Sequence, residues 1–149
     1  MRSLRTWITR TLGGEQADDG AREQARNLAV AALLVEVLRA DYDVSSDERR
    51  QVLDSIGRVL GLDAAQCEAL LAEAEHTVDR SHDLHQFTSE VNRSLDHVEK
   101  LRLVEQLWRV AQSDSIVHKY EEHIIRRVCD LLHVSHREFI AAKLRTVEG

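Results

Sequence analysis

The sequence predicts an all-α protein. Three features of its composition point to this class: proline is absent, only six residues are glycine, and Phe, Trp and Tyr together make up 4% of the 149 residues. Strands of β-sandwiches favour β-branched and aromatic residues, and their turns favour Gly and Pro. A chain of this length buries roughly 70% of the surface that it exposes when unfolded. We therefore expect a compact helical bundle that needs no disulfide to fold.

Apolar residues at helical spacing define the first elements. A short amphipathic helix is expected over residues 3–12, followed by a polar linker. A long helix over residues 21–39 is apolar on most sides at its centre, which is typical of a helix in the middle of a bundle. We therefore divide the chain into an N-terminal helix with its linker, residues 1–20, and a helical domain, residues 21–149.

The remaining helices follow from the same periodicity and from terminal signals. Gly61 is expected to end a helix that begins near Ser46, because glycine tolerates the left-handed conformation found at helix C-termini. Another helix begins at Asp63, and the more polar stretch Asp79–His97 holds one short helix between loops. The last third repeats this plan with three further helices, the last of them capped by Ser135.

Charge and hydropathy exclude several classes of function. The formal net charge is -6, and nucleic-acid binding depends on a basic excess, so we expect no nucleic-acid partner. No stretch approaches the roughly 20 apolar residues that cross a bilayer. We expect a cytoplasmic protein in which Cys67 and Cys129 are buried thiols. The basic first helix allows weak contact with a membrane surface, although packing on the body or on a partner is favoured.

Two helical hairpins of the chain can be aligned with each other. In each, an apolar helix ends in Asp, six residues follow, and a Glu opens the next helix. The corresponding segments are Ala40–Glu48 and Ser113–Glu121 and, after a one-residue slip, Ile56–Leu62 and Val128–Val134. The chain is therefore predicted to be an internally duplicated helical hairpin.

These segments resemble the tellurite-resistance TerB-like family and the similar module of some DnaJ-like co-chaperones. The resemblance rests on Ala40-Asp41-x6-Glu48, Ser113-Asp114-x6-Glu121, Ile124–Val128 and Leu131–Ser135, and it covers roughly residues 25–146. It implies a compact bundle of about seven to eight helices with a pseudo-twofold duplication. It also implies a bacterial protein of stress or metal-response physiology whose acidic residues chelate a metal.

The two acidic turns are the candidate metal site. If they meet across the pseudo-twofold axis, four carboxylates converge, and like charges so close require a cation or raised pKa values. Oxygen ligands suit Ca²⁺, Mg²⁺ or Mn²⁺. The candidate ligands are Asp41, Glu48, Asp114 and Glu121, with Asp43 and His118 as possible accessory ligands.

Other uses of these residues stay open. The turn acids would also be satisfied as solvated residues paired with Arg39, Arg49 or Arg126. The chain would then be a metal-free protein–protein interaction module, with the first helix or Asp79–His97 as its contact surface. A protein partner is expected, and the oligomeric state is left open. We do not expect an enzyme, because the sequence has no Gly-rich phosphate loop and no nucleophile elbow.

Overall fold

The computed structural model describes residues 15–40, 46–80, 83–113 and 119–148. Within these ranges the chain forms seven α-helices and no strand, which confirms the all-α prediction. The helices are α1 (Glu15–Arg39), α2 (Ser46–Leu60), α3 (Ala64–Arg80), α4 (Leu84–Ser94), α5 (His97–Gln112), α6 (Lys119–Leu131) and α7 (His136–Glu148). The helix predicted over residues 3–12 lies outside the described residues.

The first described helix is longer than the sequence pattern predicts. α1 begins at Glu15, so residues 15–20, which we expected to be linker, are helical. Two physical reasons account for the difference: acidic residues are favourable near a helix N-terminus, and one interior glycine, Gly20, costs only about 1 kcal/mol relative to alanine. The boundary drawn after residue 20 therefore falls inside a continuous helix.

Two helices, α1 and α5, form the centre of the bundle. All apolar residues of α1 from Leu28 to Leu38 are buried, and α1 packs on α2, α3, α4, α5 and α6. α5 contacts α1, α2, α6 and α7. Its Trp108 is fully buried, and the indole Nε1 donates a hydrogen bond to the Phe139 carbonyl of α7 at 3.2 Å. The predicted central position of the long helix is thus confirmed.

Packing between the helices follows the predicted duplication. α1 packs on α2 and α3, and in the second half α5 packs on α6 and α7. The two halves also pack against each other, because α2 contacts α5 and α6 contacts α1. α4 connects the halves and lies against α1 and α6. Its apolar residues Leu84, Phe87 and Val91 are buried, so the apolar stripe of the polar stretch Asp79–His97 belongs to the core.

The second helix of each repeat ends at a residue with left-handed backbone. Gly61 follows α2 with φ 68°, and His133 follows α6 with φ 62°. The Gly61 amide donates to the Gly57 carbonyl at 2.8 Å, and beyond His133 the Val134 amide donates to the Cys129 carbonyl at 2.9 Å. Gly61 and His133 are the residues that the slipped alignment pairs, so the repeats agree in backbone geometry where they differ in sequence.

Adding a Cβ at Gly61 and removing the side chain at His133 should have opposite effects on the free energy of unfolding. A Cβ in the left-handed region costs roughly 1–2 kcal/mol, so Gly61→Ala should lower the free energy of unfolding by about 1 kcal/mol, and His133→Gly should raise it by a similar amount. A Cβ at Gly61 would meet no heavy atom within 4 Å, so the cost comes from the backbone alone. Urea unfolding of both variants measures this, and shifts of equal sign would contradict the explanation.

The N-terminus of α7 is tied to α5 through one carboxylate. Glu138 Oε1 accepts a hydrogen bond from the Ser135 amide at 3.0 Å, and Ser135 Oγ accepts one from the Glu138 amide at 3.2 Å. This reciprocal pair is a capping box, as expected from Ser135. The other oxygen, Oε2, lies 2.6 Å from Nε2 of His97 at the start of α5. The His97 hydrogen bond, with help from the Ser135 amide, lowers the pKa of Glu138 from 4.5 to about 2.

The lowered pKa predicts a component of stability that is lost in acid. Because the folded state holds the charged form, Glu138 stabilises the fold above pH 4.5, and this contribution declines as the pH falls from 4.5 towards 2. In urea unfolding, the difference in stability between the native chain and Glu138→Gln should therefore be largest near neutral pH and shrink below 4.5. His97→Gln should remove most of this pH dependence. A difference that stays constant from pH 7 to pH 3 would contradict the assignment.

Candidate functional site

The structure describes one of the two predicted carboxylates in each repeat. Glu48 lies in the first turn of α2, and Glu121 lies in the first turn of α6. The remaining candidate ligands, Asp41, Asp43, Asp114 and His118, lie outside the described residues. The meeting of the two acidic turns therefore stays a prediction.

Both described glutamates are buried, which the sequence reasoning missed. Glu48 is 1% exposed and Glu121 is 0% exposed. In the first turn of a helix the helix dipole favours an acid without further explanation, and this interpretation did not predict their burial. The missed signal is their spacing: Val52 and Ile125 follow four residues later and are fully buried, so each glutamate occupies the first position of an apolar helical face.

The helices that hold the two glutamates reach across the bundle. α2 contacts α5, the helix that precedes the second acidic turn, and α6 contacts α1, the helix that precedes the first. A buried hydrogen bond fixes the first of these contacts, since Ser55 Oγ of α2 donates to Gln106 Oε1 of α5 at 2.8 Å. Gln51 Nε2 in turn donates to Ser55 Oγ at 3.1 Å. Each glutamate thus sits on a helix that touches the opposite repeat.

In the first repeat, arginines on either side of the acidic turn bind carboxylates of α3. Arg49, the residue after Glu48, lies 3.3 Å from Glu75 and 3.7 Å from Glu68. Arg39, at the end of α1, forms an ion pair with Asp79. These contacts attach the start of α2 and the end of α1 to the same helix, and they bring two guanidinium groups to the ends of the first turn.

In the second repeat, the corresponding attachment has reversed charges. Glu122, the residue after Glu121, lies 3.7 Å from Lys143 of α7, and the Lys143 ammonium lies 5.2 Å from the centroid of the Trp108 ring. Arg126, proposed above as a partner of the turn acids, lies 5.5 Å from the centroid of the Phe139 ring. In both repeats the residue beside the buried glutamate is held by the helix that follows.

The described part of the chain does not hold a metal site by itself. Among these residues, no three His, Cys, Asp or Glu side chains come together as a set of metal ligands. Cys67 and Cys129 are buried and not in a disulfide, as predicted. Burial raises the pKa of the Cys67 thiol and raises that of Cys129 to about 12, so neither supplies a thiolate ligand near neutral pH. A cation site would need the acids of the turns.

Described residues line two surface grooves at other places. The α1–α4 groove, of about 760 Å³, is lined by charged residues of α1 and α4. The α2–α3 groove, of about 440 Å³, is lined by apolar residues such as Leu53 and Leu62 with charged residues at its rim. Neither lining includes Glu48 or Glu121, so the grooves are separate from the buried carboxylates.

Comparison with known proteins gives one family. A family model described as tellurite resistance protein TerB matches residues 27–144, most of the chain. Searches of curated proteins and of solved structures gave no match. None of the described helices combines the length and the apolar character of a membrane-spanning segment.

Proposed function

Because the chain belongs to the tellurite resistance protein TerB family, we propose that it is a non-enzymatic module that binds a divalent cation between its two acidic turns. The observation that carries this proposal is the burial of Glu48 and Glu121 at equivalent positions of the two repeats. Buried carboxylates need a proton, a hydrogen-bonded partner or a metal ion to offset the lost hydration. One such glutamate lies at the start of the helix that follows each acidic turn in sequence, and these two equivalent places are where we propose that the shared cation binds.

The nearby arginines have partners among the described residues. Arg39 and Arg49 bind the carboxylates of α3, and Arg126 covers an aromatic ring. The three side chains considered as partners of the turn acids are therefore engaged with other groups among the described residues.

The chemistry of the turns suits a hard cation. Asp41 and Asp114 follow the C-termini of α1 and α5 in sequence, where the helix dipole disfavours an acid by roughly 0.3–1 kcal/mol. A bound cation offsets both this cost and the repulsion among the carboxylates. With oxygen donors from Asp41, Asp43, Asp114 and the two buried glutamates, we propose Ca²⁺, Mg²⁺ or Mn²⁺ as the ion. His118 would be an accessory ligand.

The physiological context that we propose is stress or metal response, and it rests on the family's description. Growth of a host strain lacking the gene, with and without tellurite, tests it when the native chain and the Glu48→Gln/Glu121→Gln variant are each returned on a plasmid. Rescue by the native chain alone would connect the buried carboxylates to resistance. Equal growth of the strain with the native chain and the strain with the variant would show that the buried carboxylates are not needed for resistance.

A metal-free contact with a protein partner is the second candidate. Leu144 and Val147, three residues apart on α7, are 53% and 63% exposed. Apolar side chains at this spacing form one face of a helix, and an exposed face of this kind can contact another protein. A contact surface at Asp79–His97 would have to use polar side chains, because the apolar residues of that stretch are in the core.

Cation binding should raise the thermal stability of the chain. A ligand that binds only the folded state stabilises it by about 2.7 kcal/mol at a free concentration 100-fold above Kd. For a chain of this size, that energy corresponds to an increase in Tm of roughly 5–10 °C. Scanning calorimetry with Ca²⁺, Mg²⁺, Mn²⁺ and Zn²⁺ measures the effect. The shift should be absent in Asp41→Asn/Asp114→Asn and in Glu48→Gln/Glu121→Gln.

The control is a double variant with the same change of charge elsewhere. Asp54 and Asp130 are exposed and lie on α2 and α6, the same two helices as the buried glutamates. Asp54→Asn/Asp130→Asn should keep the full increase in Tm. Failure of every cation to stabilise the native chain, or an equal shift in all variants, would overturn the proposed site and favour the metal-free candidate.

Trp108 offers a second readout for the same titration. Lys143 links its ring to Glu122, which is adjacent to Glu121, so a cation at the second turn should change the electrostatic field at the indole. Trp7 is the other tryptophan of the chain, and Trp7→Phe leaves Trp108 as the single emitter. Its fluorescence should change with the same concentration dependence as the Tm. A fluorescence change that persists in Glu121→Gln would contradict this link.

A further inference from the structure

The helices α3 and α7 begin with the same hydrogen bonds, although the residue after each cap differs. The Asp63 amide donates to Gln66 Oε1 at 3.0 Å, and the Gln66 amide donates to Asp63 Oδ1 at 2.8 Å. Ser135 opens α7 with the same kind of capping box. The amides of Cys67 and Phe139 then donate to the carbonyls of the two capping residues, both at 2.9 Å. Cys67 and Phe139 therefore occupy equivalent positions of the two repeats.

In the second repeat, a phenyl ring fills the junction between α6 and α7. Phe139 is 1% exposed. The His136 ring stacks on it with 5.6 Å between the ring centroids, and the Arg126 guanidinium of α6 lies 5.5 Å from its centroid. Cys129 and Val134, which belong to the same junction in sequence, are buried as well. The side chains of this junction thus cover one another.

The corresponding junction of the first repeat has smaller side chains. The alignment is the one that pairs Gly61 with His133. In this alignment, Gly57 stands in place of a cysteine, Ala64 in place of a histidine and Cys67 in place of a phenylalanine. All three residues line the α2–α3 groove, of about 440 Å³. The groove therefore lies where the first repeat lacks the phenyl and imidazole rings of the second.

We propose that the α2–α3 groove binds an aromatic side chain of a partner protein, at the place that corresponds to Phe139 in the second repeat. Leu53 and Leu62 are half-buried and line the groove with apolar surface, which a bound ring would cover. The groove follows α2 from Arg50 to Arg58, about 12 Å along the helix axis. This length leaves room for the residues that flank the ring, so a segment of protein chain fits the groove better than a free ring.

The charges at the rim of the groove do not favour either sign of ligand. The rim carries Arg50, Arg58, Asp54 and Glu68, two side chains of each sign. Arg58 lies 2.8 Å from Asp54, and both side chains are more than half exposed, so this pair is weak. A rim guanidinium can therefore turn over a bound ring, as Arg126 does in the second repeat. Balanced charge around an apolar groove suits the uncharged side chains of Phe and Trp.

Titration of the isotope-labelled full chain with amino-acid amides, followed by NMR, tests the proposal. N-acetyl-phenylalaninamide and N-acetyl-tryptophanamide should shift the amide resonances of Gly57 and Cys67. Half-saturation is expected at about 1 mM, the affinity that a ligand of about 15 heavy atoms reaches. N-acetyl-leucinamide should bind about three- to tenfold more weakly, because aromatic contacts add to the effect of buried area.

Filling the groove with side chains of the protein itself should compete with the added amides. Cys67→Phe supplies the ring of the second repeat and should weaken their binding at least about tenfold. Gly57→Ala adds a methyl group with ordinary contacts, 3.5 Å to the Leu62 carbonyl oxygen and 3.6 Å to Cys67 Sγ. This variant should keep the fold and weaken binding about threefold. Ala72→Phe, the matched control, adds a ring at an exposed position of α3 outside the groove lining and should bind like the native chain.

Four results would overturn the proposal. The first is the absence of shifts, or equal affinity for the leucine and aromatic amides. The second is binding that neither Cys67→Phe nor Gly57→Ala weakens. The third is tighter binding of free indole than of N-acetyl-tryptophanamide, since the groove would then take a small molecule. The fourth is shifts of the same resonances that grow with protein concentration and vanish in Tyr120→Ala. Because Tyr120 is 68% exposed, the ring would then come from a second copy of the chain.

Discussion

The burial of α1 and α5 is the constraint on which the rest of the structure depends. Each fully buried Val or Leu side chain contributes about 1.5–3 kcal/mol, and the centre of α1 is buried on nearly every side. The other helices must therefore surround this pair, and both acidic turns follow the C-termini of these central helices in sequence. In sequence, the candidate site therefore adjoins the ends of the two central helices.

The two buried glutamates are charged residues in an otherwise apolar core, and they occupy equivalent positions of the two repeats. Glu48 and Glu121 begin the apolar faces of α2 and α6, where an apolar side chain would stabilise the core at lower cost. Their positions next to the acidic turns in sequence are the basis of the proposed role in cation binding. The same repeats differ in charge around the glutamates, since Arg49 and Glu122 occupy matching places and bind partners of opposite sign on α3 and α7. The two halves therefore share the positions of the buried glutamate and of the attached neighbouring residue, but not the charge of that neighbour.

Much of the fold could be predicted from the sequence. The helical composition, the apolar stripes, the left-handed end at Gly61 and the cap at Ser135 are local properties that depend on residues a few positions apart. The alignment of the two hairpins even paired Gly61 with His133, which share a left-handed backbone. The start of α1 at Glu15 was missed, because the favourable interaction of early acidic residues with the helix dipole outweighs the cost of Gly20.

The sequence by itself determined the class of fold, the duplication and the residue types available for a site, because periodicity and motif spacing depend only on the order of residues in the chain. Only the tertiary structure decided that Glu48 and Glu121 are buried, that Arg39 and Arg49 bind α3, and that α4 belongs to the core. Burial and ion pairing depend on which helices meet across the bundle. Contacts such as Arg49 with Glu75, 26 residues apart, follow from packing and not from local pattern.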